Sequence, residues 1–204
     1  MHSGIWIVDL FHPFFLNYKL SWNCHIEKLT KKIASGIGAM KCVRHLVLPA
    51  TLHLIYQVLI QAHFDYSSTV WGTWGVTLQE KLQKLQSRAA SVLTFCNYDV
   101  NAEELLEILG WENLDHQRNI QKAIMVFKCL HGLAPNYLAT TFSERNTSYN
   151  LRDSENKLNV GLPGTNYFKN SFSYSGATLW NRLPYEARCA ESLRSFKREI
   201  SKAL

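Results

Sequence analysis

The chain has 204 residues, 47% of them apolar and 19% charged, and its formal net charge is +6. An apolar share of this size argues against a disordered chain, and the length is enough to bury a hydrophobic core. The basic balance favours an anionic partner, such as nucleic acid, over a cationic one.

Residues 1–20 form an atypical N-terminal segment, which is rich in aromatic side chains and has no helical periodicity. Residues 5–8 have the composition of a short strand. Because exposed aromatic rings promote association, we expect at least part of this segment to pack on the rest of the protein.

The first predicted helix follows Ser21 and ends at about residue 46. Its apolar residues recur at the spacing of one helical face, at Ile26, Leu29, Ile33, Ile37 and Met40. Gly36 and Gly38 weaken its middle by about 1 kcal/mol each relative to alanine. The pair therefore either admits another backbone at close range or marks a bend.

The second predicted helix begins at Pro49, where the missing N–H of proline does no harm. Residues 52–60 are apolar nearly all round, apart from a polar stripe formed by His53, Gln57 and Gln61. A helix that is apolar on every side is usually buried. We therefore predict that this helix is the central buried helix of its domain.

The third predicted helix, about residues 77–95, is amphipathic. Its apolar face consists of Leu78, Leu82, Leu85, Ala89 and Val92. Lys81, Lys84 and Arg88 each precede one of these residues by one position, which places a basic stripe about 100° round the helix from the apolar face. We expect the apolar face to dock on the second helix and the cations to face outward.

Two further helices have clear ends. The fourth follows the N-cap residue Asn101 and stops at Gly110, and the fifth covers about residues 114–130 and stops before Gly132. Residues 143–178 are rich in Asn, Ser, Thr and Gly with scattered aromatic residues, which predicts short strands or hairpins.

A last helix is predicted over about residues 192–203, with Leu193, Phe196 and Ile200 on its inner face. The predicted fold class is therefore mainly α. It is a helical bundle of about five helices, followed by an irregular segment with short β strands and a C-terminal helix.

The cysteines and the apolar runs bear on the compartment. Five cysteines, widely spaced and without a Cys-x-x-Cys pair, are typical of free thiols in a reducing compartment. The longest apolar run, residues 5–16, is interrupted by polar residues and too short to span a bilayer, and no basic region precedes it. We therefore predict a soluble intracellular protein that does not enter a membrane.

Two short pairs, Cys42 with His45 and Cys129 with His131, consist of residue types that bind metals. A structural zinc site needs four ligands in paired spacing, and neither pair has a second half in the sequence. No nucleophile elbow or comparable motif places a catalytic serine. These residues are therefore assigned as free thiols and helix-end histidines, and no metal site is predicted.

Six segments of the chain, taken in order and spacing, form a recognisable series. They are LSWNCHIEKLTKKI (20–33), LIYQVLIQAHFDYSSTVWG (54–72), LQKLQSRAA (82–90), FKCLHGLAPNYL (127–138), SFSYSGATLWNRLP (171–184) and SLRSFKREI (192–200). The series resembles the C-terminal portion of the reverse-transcriptase polyprotein of jockey-like non-LTR retrotransposons, the LINE-type elements of animals. The resemblance covers about residues 17–204, whereas residues 1–16 do not look like the strand that the family has there.

The resemblance implies a domain organisation. Residues 21–142 would be a helical thumb-like domain that follows the polymerase palm, and residues 143–204 a β-containing segment with the terminal helix. The family's palm holds two metal ions through adjacent aspartates, and this chain has no adjacent aspartate pair and no endonuclease domain. The chain therefore resembles a polymerase relative without its catalytic part, which predicts no enzyme activity and no cofactor.

The basic residues of the first and third predicted helices are the candidate contacts to a nucleic-acid backbone. They are Lys28, Lys31, Lys32, Lys81, Lys84 and Arg88. The family's thumb packs near the template–primer duplex, and each phosphate that these residues neutralise would steepen the salt dependence of binding. The alternative is a solvated helix face, which is the usual role of a run of charges.

The tryptophans have two possible roles, stacking on bases and anchoring the core, and core anchoring is the commoner. This choice concerns Trp22, Trp71, Trp74, Trp111 and Trp180.

The function predicted from the sequence is that of a non-catalytic C-terminal fragment of a retrotransposon reverse transcriptase that binds RNA or DNA without reading its sequence. Its partners would be a nucleic-acid backbone or the missing palm of a parent polymerase. The alternative is a helical protein-interaction module, or an inert gene relic, with no nucleic-acid role. Surfaces that would meet the palm are expected to be exposed, which predicts poor solubility.

Overall fold

The computed structural model of the chain describes residues 6–7, 14–15, 23–66, 76–96, 100–145 and 156–204. Within these ranges the protein is mainly helical, which confirms the predicted fold class. The helices are α1 Asn23–Val43, α2 Pro49–Tyr56, α3 Ala62–Asp65, α4 Val76–Leu93, α5 Ala102–Leu109, α6 Leu114–Leu130, α7 Asn136–Ala139, α8 Asn166–Lys169, α9 Phe172–Arg182, α10 Tyr185–Arg188 and α11 Leu193–Ala203. A π-helical turn, Gln57–Gln61, joins α2 to α3.

The chain divides into two compact units, Met1–Leu114 and Asp115–Leu204. The unit boundary lies at the start of α6, whereas composition and family resemblance placed a domain boundary at residue 143. The difference has a physical basis, because the inner face of α6 shares a hydrophobic core with α9 and α11.

A short hairpin lies near the N-terminus. Strand β1, Trp6–Ile7, pairs antiparallel with β2, Phe14–Phe15, with Trp6 opposite Phe15. The strand predicted over residues 5–8 is therefore present at its two central residues. The other residues of the N-terminal segment, together with Trp22, lie outside the described residues.

The core of the first unit is formed by α1, α2 with its π-helical continuation, and α4. The apolar face of α4 contacts α2, as predicted, but packs more extensively on α1. The members of this core include all five apolar residues that the sequence placed on the inner face of the first helix: Ile26, Leu29, Ile33, Ile37 and Met40. A smaller cluster under α5 joins Leu105 and Leu106 to Ala90 of α4.

Gly36 allows α1 to approach the π-helical turn closely. A Cβ atom on Gly36 would lie 3.2 Å from Cγ1 of Ile60 and 3.4 Å from the carbonyl oxygen of Leu59. Gly38 has open space at the same position, with nothing within 4 Å. Of the two roles predicted for the glycine pair, close approach therefore applies to Gly36.

Helix α2, the π-helical turn and α3 follow one another without a break over residues 49–65 and are called the α2–α3 rod. The π-helical turn keeps one face of this rod on the core. Its buried residues, Leu52, Tyr56, Ile60 and Phe64, are spaced by four. Four residues overshoot an α-helical turn of 3.6 residues by about 40°, so three such steps in a regular α-helix would carry the face well round the axis. The wider i→i+5 turn takes up part of this excess rotation.

The prediction that the second helix is the central buried helix holds for one face only. Leu54 is 60% exposed and Val58 71%, although both belong to the apolar stretch. The reason is that α1 and α4 cover one side of this rod, and the opposite apolar side is left in contact with solvent.

The ends of α5 and α6 are as predicted. The Asn101 side chain accepts a hydrogen bond of 3.2 Å from the Glu103 backbone N–H, and Gly110 adopts a left-handed conformation with φ of 64°. Gly132 does the same beyond α6, with φ of 66°, and the Leu133 N–H donates to the carbonyl of Lys128. Only glycine adopts this conformation without a steric cost. The glycines that predicted the two helix ends are therefore the residues that this backbone geometry requires.

Residues 143–178 differ from the prediction of strands. In the described parts of this segment, 143–145 and 156–178, strand pairing is limited to the isolated bridge between Glu144 and Leu158. The same parts contain α8 and most of α9. Thr165 and Ser171 cap these helices through their side-chain oxygens. Ser and Thr are preferred at helix N-caps as well as in turns, so their abundance in this segment is also compatible with helix starts. Residues 146–155 lie outside the described residues.

The core of the second unit is built around Trp180 and Phe196. Phe196 of α11 stacks on Phe127 of α6 at a centroid distance of 4.6 Å and lies 5.6 Å from Trp180. The inward side of the last helix is as predicted, with Phe196 and Ile200 buried and Leu193 half-buried. Gly176 lets α9 approach α6, because a Cβ there would lie 3.0 Å from Cγ2 of Val126.

The side chains of Trp180 and Asn181 fasten α9 to the segment around Leu158. The Trp180 indole N–H donates to the carbonyl of Asn156 at 2.8 Å. The Asn181 amide accepts from the Leu158 N–H at 2.8 Å and donates to the Leu158 carbonyl at 2.9 Å. Leu158 is only 1% exposed, so water does not readily replace these hydrogen bonds.

Two cations of α6 are buried, Arg118 at 5% and Lys122 at 8% exposure. Burial lowers the pKa of the Lys122 ammonium, Asp115 opposes this shift, and the like charge of Arg118 adds to it. Burial also lowers the pKa of the Arg118 guanidinium, again against the effect of Asp115. The charged forms of both side chains are therefore less favourable in the folded protein than in water.

We expect Asn181→Ala to lower the free energy of unfolding by about 2–3 kcal/mol, because it leaves the buried N–H and carbonyl of Leu158 without partners. Alanine is the better helix former, so local propensity opposes this loss. Urea denaturation followed by circular dichroism measures it. Asn170→Ala, at an exposed asparagine, is the control and should change stability by less than about 0.5 kcal/mol. Equal effects of the two substitutions would contradict the role of Asn181.

Lys122→Met is expected to stabilise the protein at pH 7 by about 1 kcal/mol or more, because it removes a desolvated charge and keeps the side-chain volume. The folded-state pKa is below the unfolded one, so the stability of the parent protein rises as pH increases toward the unfolded value. The advantage of the variant should therefore shrink at alkaline pH. Urea titrations at neutral and alkaline pH test this, with Lys128→Met on the same helix as control. A gain that does not depend on pH would argue against the desolvation mechanism.

Candidate nucleic-acid interface

The six predicted contact residues are all exposed and all lie in the first unit. Lys28, Lys31 and Lys32 are on the first half of α1, and the other three cations are on α4. Helices α1 and α4 pack directly against each other. The structure thus places both groups of cations on one pair of packed helices.

The stripe on α4 owes its exposure to the core contact beside it. Leu82, Leu85 and Ala89 are buried, and each follows one cation of the stripe. Because successive residues are 100° apart on an α-helix, burying one member of each pair turns the other toward solvent. The basic stripe, Lys81, Lys84 and Arg88, therefore borders the core contact of α4.

Both helices carry an excess of positive charge. Helix α1 has four lysines and one acidic residue, Glu27, and α4 has three cations and one acidic residue, Glu80. Charges of one sign on adjacent helices add at distances below the Debye length, which is about 10 Å at 0.1 M salt. The surface of this helix pair is therefore suited to an anionic partner.

Two glutamines fix the position of α4, and sequence analysis did not single them out. Gln86 is fully buried and donates to the carbonyl of Glu112 at 3.1 Å. Gln83 donates to the Gln86 side chain at 2.8 Å and accepts from the Leu114 N–H at 3.0 Å. These bonds tie α4 to residues 112–114. A signal was present in the spacing, because Gln86 directly follows Leu85 and so borders the apolar face.

Trp111 and Trp180 take part in core contacts. Trp111 stacks on Tyr56 with ring centroids 4.3 Å apart and an interplanar angle of 21°, and Trp180 is buried. The Tyr56 hydroxyl donates to the Gln61 side chain at 2.7 Å. Burial, and secondarily the charge of Asp65, raise the pKa of this hydroxyl above its ordinary range. Trp22, Trp71 and Trp74 lie outside the described residues.

The histidines of the two residue pairs with metal-binding side chains have other contacts. His45 accepts a hydrogen bond of 3.0 Å from Nε of Arg44, and its ring lies 5.6 Å from that of Phe95. His131 stacks on Phe127 at 3.8 Å, and Cys129 is buried, which raises the pKa of its thiol. Across the described parts of the chain, no three His, Cys, Asp or Glu residues are grouped so that they would hold a metal ion.

The buried cations Arg118 and Lys122 were also missed by sequence analysis. They follow Leu114 at intervals of four, a spacing that keeps residues near one helical face. Such positions are normally apolar, and the sequence offers no signal that cations occupy them in a buried state. As to membranes, no helix in the described ranges combines the length and the hydropathy needed to cross one.

Comparison with known proteins gives no further identification: no protein-family model, no curated protein and no solved structure matches the chain. The relationship to retrotransposon reverse transcriptases therefore stays a prediction from the six sequence segments.

Proposed function

We propose that the chain is a non-catalytic, thumb-like fragment of a retrotransposon reverse transcriptase that binds the backbone of RNA or DNA. The observation that carries the proposal is the exposure of six cations on two helices packed against each other. The resemblance of the sequence to the post-palm region of that family supports the same function. In an intact parent polymerase, the palm would be the protein neighbour of this fragment.

The chemistry of the surface favours binding through charge alone. Five of the six cations are lysines, which act as flexible point charges and lack the planar fork that arginine offers to a guanine edge. Trp111 and Trp180 are engaged in core contacts and do not supply a platform for stacked bases. Binding should therefore depend on phosphates and differ little between sequences.

A second function, protein interaction, is favoured by a separate observation. Leu54 and Val58 are exposed apolar residues of the α2–α3 rod, whereas the six cations lie on other helices, α1 and α4. Apolar surface of this kind is common at contacts between proteins and does not attract a polyanion.

We expect the full chain to bind single- and double-stranded oligonucleotides with an affinity that falls steeply with salt. If all six cations meet phosphates of a duplex, the slope of log K against log salt is about −5. Replacing Lys81, Lys84 and Arg88 with glutamine removes three phosphate contacts and should roughly halve this slope. Fluorescence anisotropy of labelled oligonucleotides over a salt series measures both quantities.

Charge reversal of the stripe, with Lys81, Lys84 and Arg88 all changed to glutamate, should abolish binding. The matched control changes Lys169, Arg194 and Lys197, three exposed cations of the second unit, to glutamate. Both triple variants alter the net charge equally, so a loss confined to the first assigns binding to α4. Equal losses, or no binding of the parent protein at low salt, would refute the proposal. Circular dichroism confirms that each variant is folded.

A further inference from the structure

Phe95 occupies a helix-end position that the chain elsewhere gives to glycine. It follows Leu93, the last residue of α4, by two positions, as Gly132 follows Leu130 at the end of α6. The backbone φ is 57° at Phe95 and 66° at Gly132, and both values are in the left-handed region. A bulky residue rarely adopts this conformation, because its Cβ crowds the following carbonyl oxygen. Phe95 is therefore held there against a steric cost.

Burial in a hydrophobic core does not offset this cost. Phe95 is 44% exposed, and it belongs to none of the three hydrophobic clusters formed by the described residues. Its ring lies instead against Arg44 and His45, which directly follow α1. A strained residue that the core does not require is a candidate for function, since such strain collects at binding sites.

The side chains of Arg44, His45 and Phe95 form one group, called the Phe95 cluster. Cζ of Arg44 lies 5.5 Å from the centroid of the Phe95 ring, and the His45 ring centroid lies 5.6 Å from it at an interplanar angle of 59°. Nε of Arg44 donates to Nε2 of His45 at 3.0 Å. Within the described ranges no carboxylate pairs with Arg44, so its charge is not neutralised there. The cluster thus combines two rings with a cation.

The Phe95 cluster lies at the ends of the two helices that carry the predicted phosphate contacts. Arg44 follows α1 and Phe95 follows α4, and each helix has three of the six exposed cations. Arg88, the last cation of the basic stripe, precedes Phe95 by seven residues, or about 10 Å along a helix. About three nucleotides of one strand cover this distance. A strand can therefore place its phosphates on the stripe and a base on the cluster.

The chemistry of the cluster fits an unpaired nucleobase. Bases of single strands stack on aromatic side chains and on arginine planes, whereas the bases of a duplex are already stacked on one another. A neighbouring phosphate supplies an anion for Arg44. An apolar protein or lipid surface would cover the rings, but it would remove water from the Arg44 guanidinium without replacing its hydrogen bonds.

We propose that the Phe95 cluster is a stacking site for an unpaired base of a single-stranded nucleic acid whose phosphates lie on the basic stripe. The inference rests on the proposed function, because the six cations hold the backbone of the strand. It adds a choice that charge alone does not make, since single strands are bound in preference to duplexes. Because every base has a π face, the site tolerates any sequence.

Fluorescence anisotropy of the full chain tests the proposal with three labelled probes of equal length: a single strand, the corresponding duplex and a strand of abasic nucleotides. Phe95→Gly removes the ring, and the variant should remain folded because glycine accepts the left-handed φ. We expect it to bind the single strand about 10-fold more weakly. Its affinity for the duplex and for the abasic strand should not change, because all phosphate contacts remain.

Three further variants serve as controls. Phe95→Trp keeps an aromatic ring and should retain the preference for single strands. Phe95→Leu keeps an apolar side chain of similar bulk without a ring and should lose this preference. Tyr167→Ala removes a ring that is 68% exposed in the second unit, and it should leave all three affinities unchanged. Circular dichroism and thermal unfolding show whether each variant is folded.

The outcomes separate the stacking site from the proposed function. Equal affinity of the parent for single strand and duplex, or a single-strand affinity that Phe95→Gly does not change, would overturn the site and leave the phosphate contacts standing. A loss of affinity for the abasic strand in Phe95→Gly would show that stacking is not the cause. If no probe binds the parent at low salt, the proposed function and the stacking site are both refuted.

Discussion

The contact between α1 and the π-helical turn is the constraint on which the first unit depends. Gly36 provides the space, because a Cβ at that position would lie only 3.2 Å from Cγ1 of Ile60 and would force that side chain to shift. The π-helical turn directs Ile60 into the same core as Leu52. Two local features therefore act on one contact. Gly36 has no side chain, which leaves space on α1, and the π turn places the Ile60 side chain next to that space.

This contact also decides what the unit presents to solvent. Once α1 and α4 occupy the inner side of the α2–α3 rod, their own cations face outward and the apolar outer side of the rod is left open. Two surfaces of different chemistry therefore lie on different helices. Salt screens interactions of the basic surface and leaves interactions of the apolar surface largely intact, so the two can be separated by ionic strength alone.

Much of the fold could be predicted from the sequence, because helical periodicity and capping residues act locally. The inner face of α1, the glycine ends of α5 and α6 and the exposure of the α4 stripe are examples. The exposure of Leu54 could not be predicted, since an apolar residue does not reveal which sides of its helix are covered. The backbone partners of the Gln83 and Asn181 side chains, Leu114 and Leu158, lie more than twenty residues away in sequence, a separation that local patterns do not report. The role of the six cations stays a prediction, because exposure is equally compatible with a solvated surface.

The attachment of α9 to residues 156–158 has a consequence for the chain between them. Trp180 and Asn181 close a loop whose two ends are held by hydrogen bonds, while residues 159–170 inside it are exposed throughout. The entropy of closing such a loop grows only slowly with length, by about 0.6 kcal/mol for each doubling. Extra residues at Gly161–Gly164 would therefore lengthen the loop without loosening its ends, which makes this the natural place to graft an affinity tag or a fluorescent label.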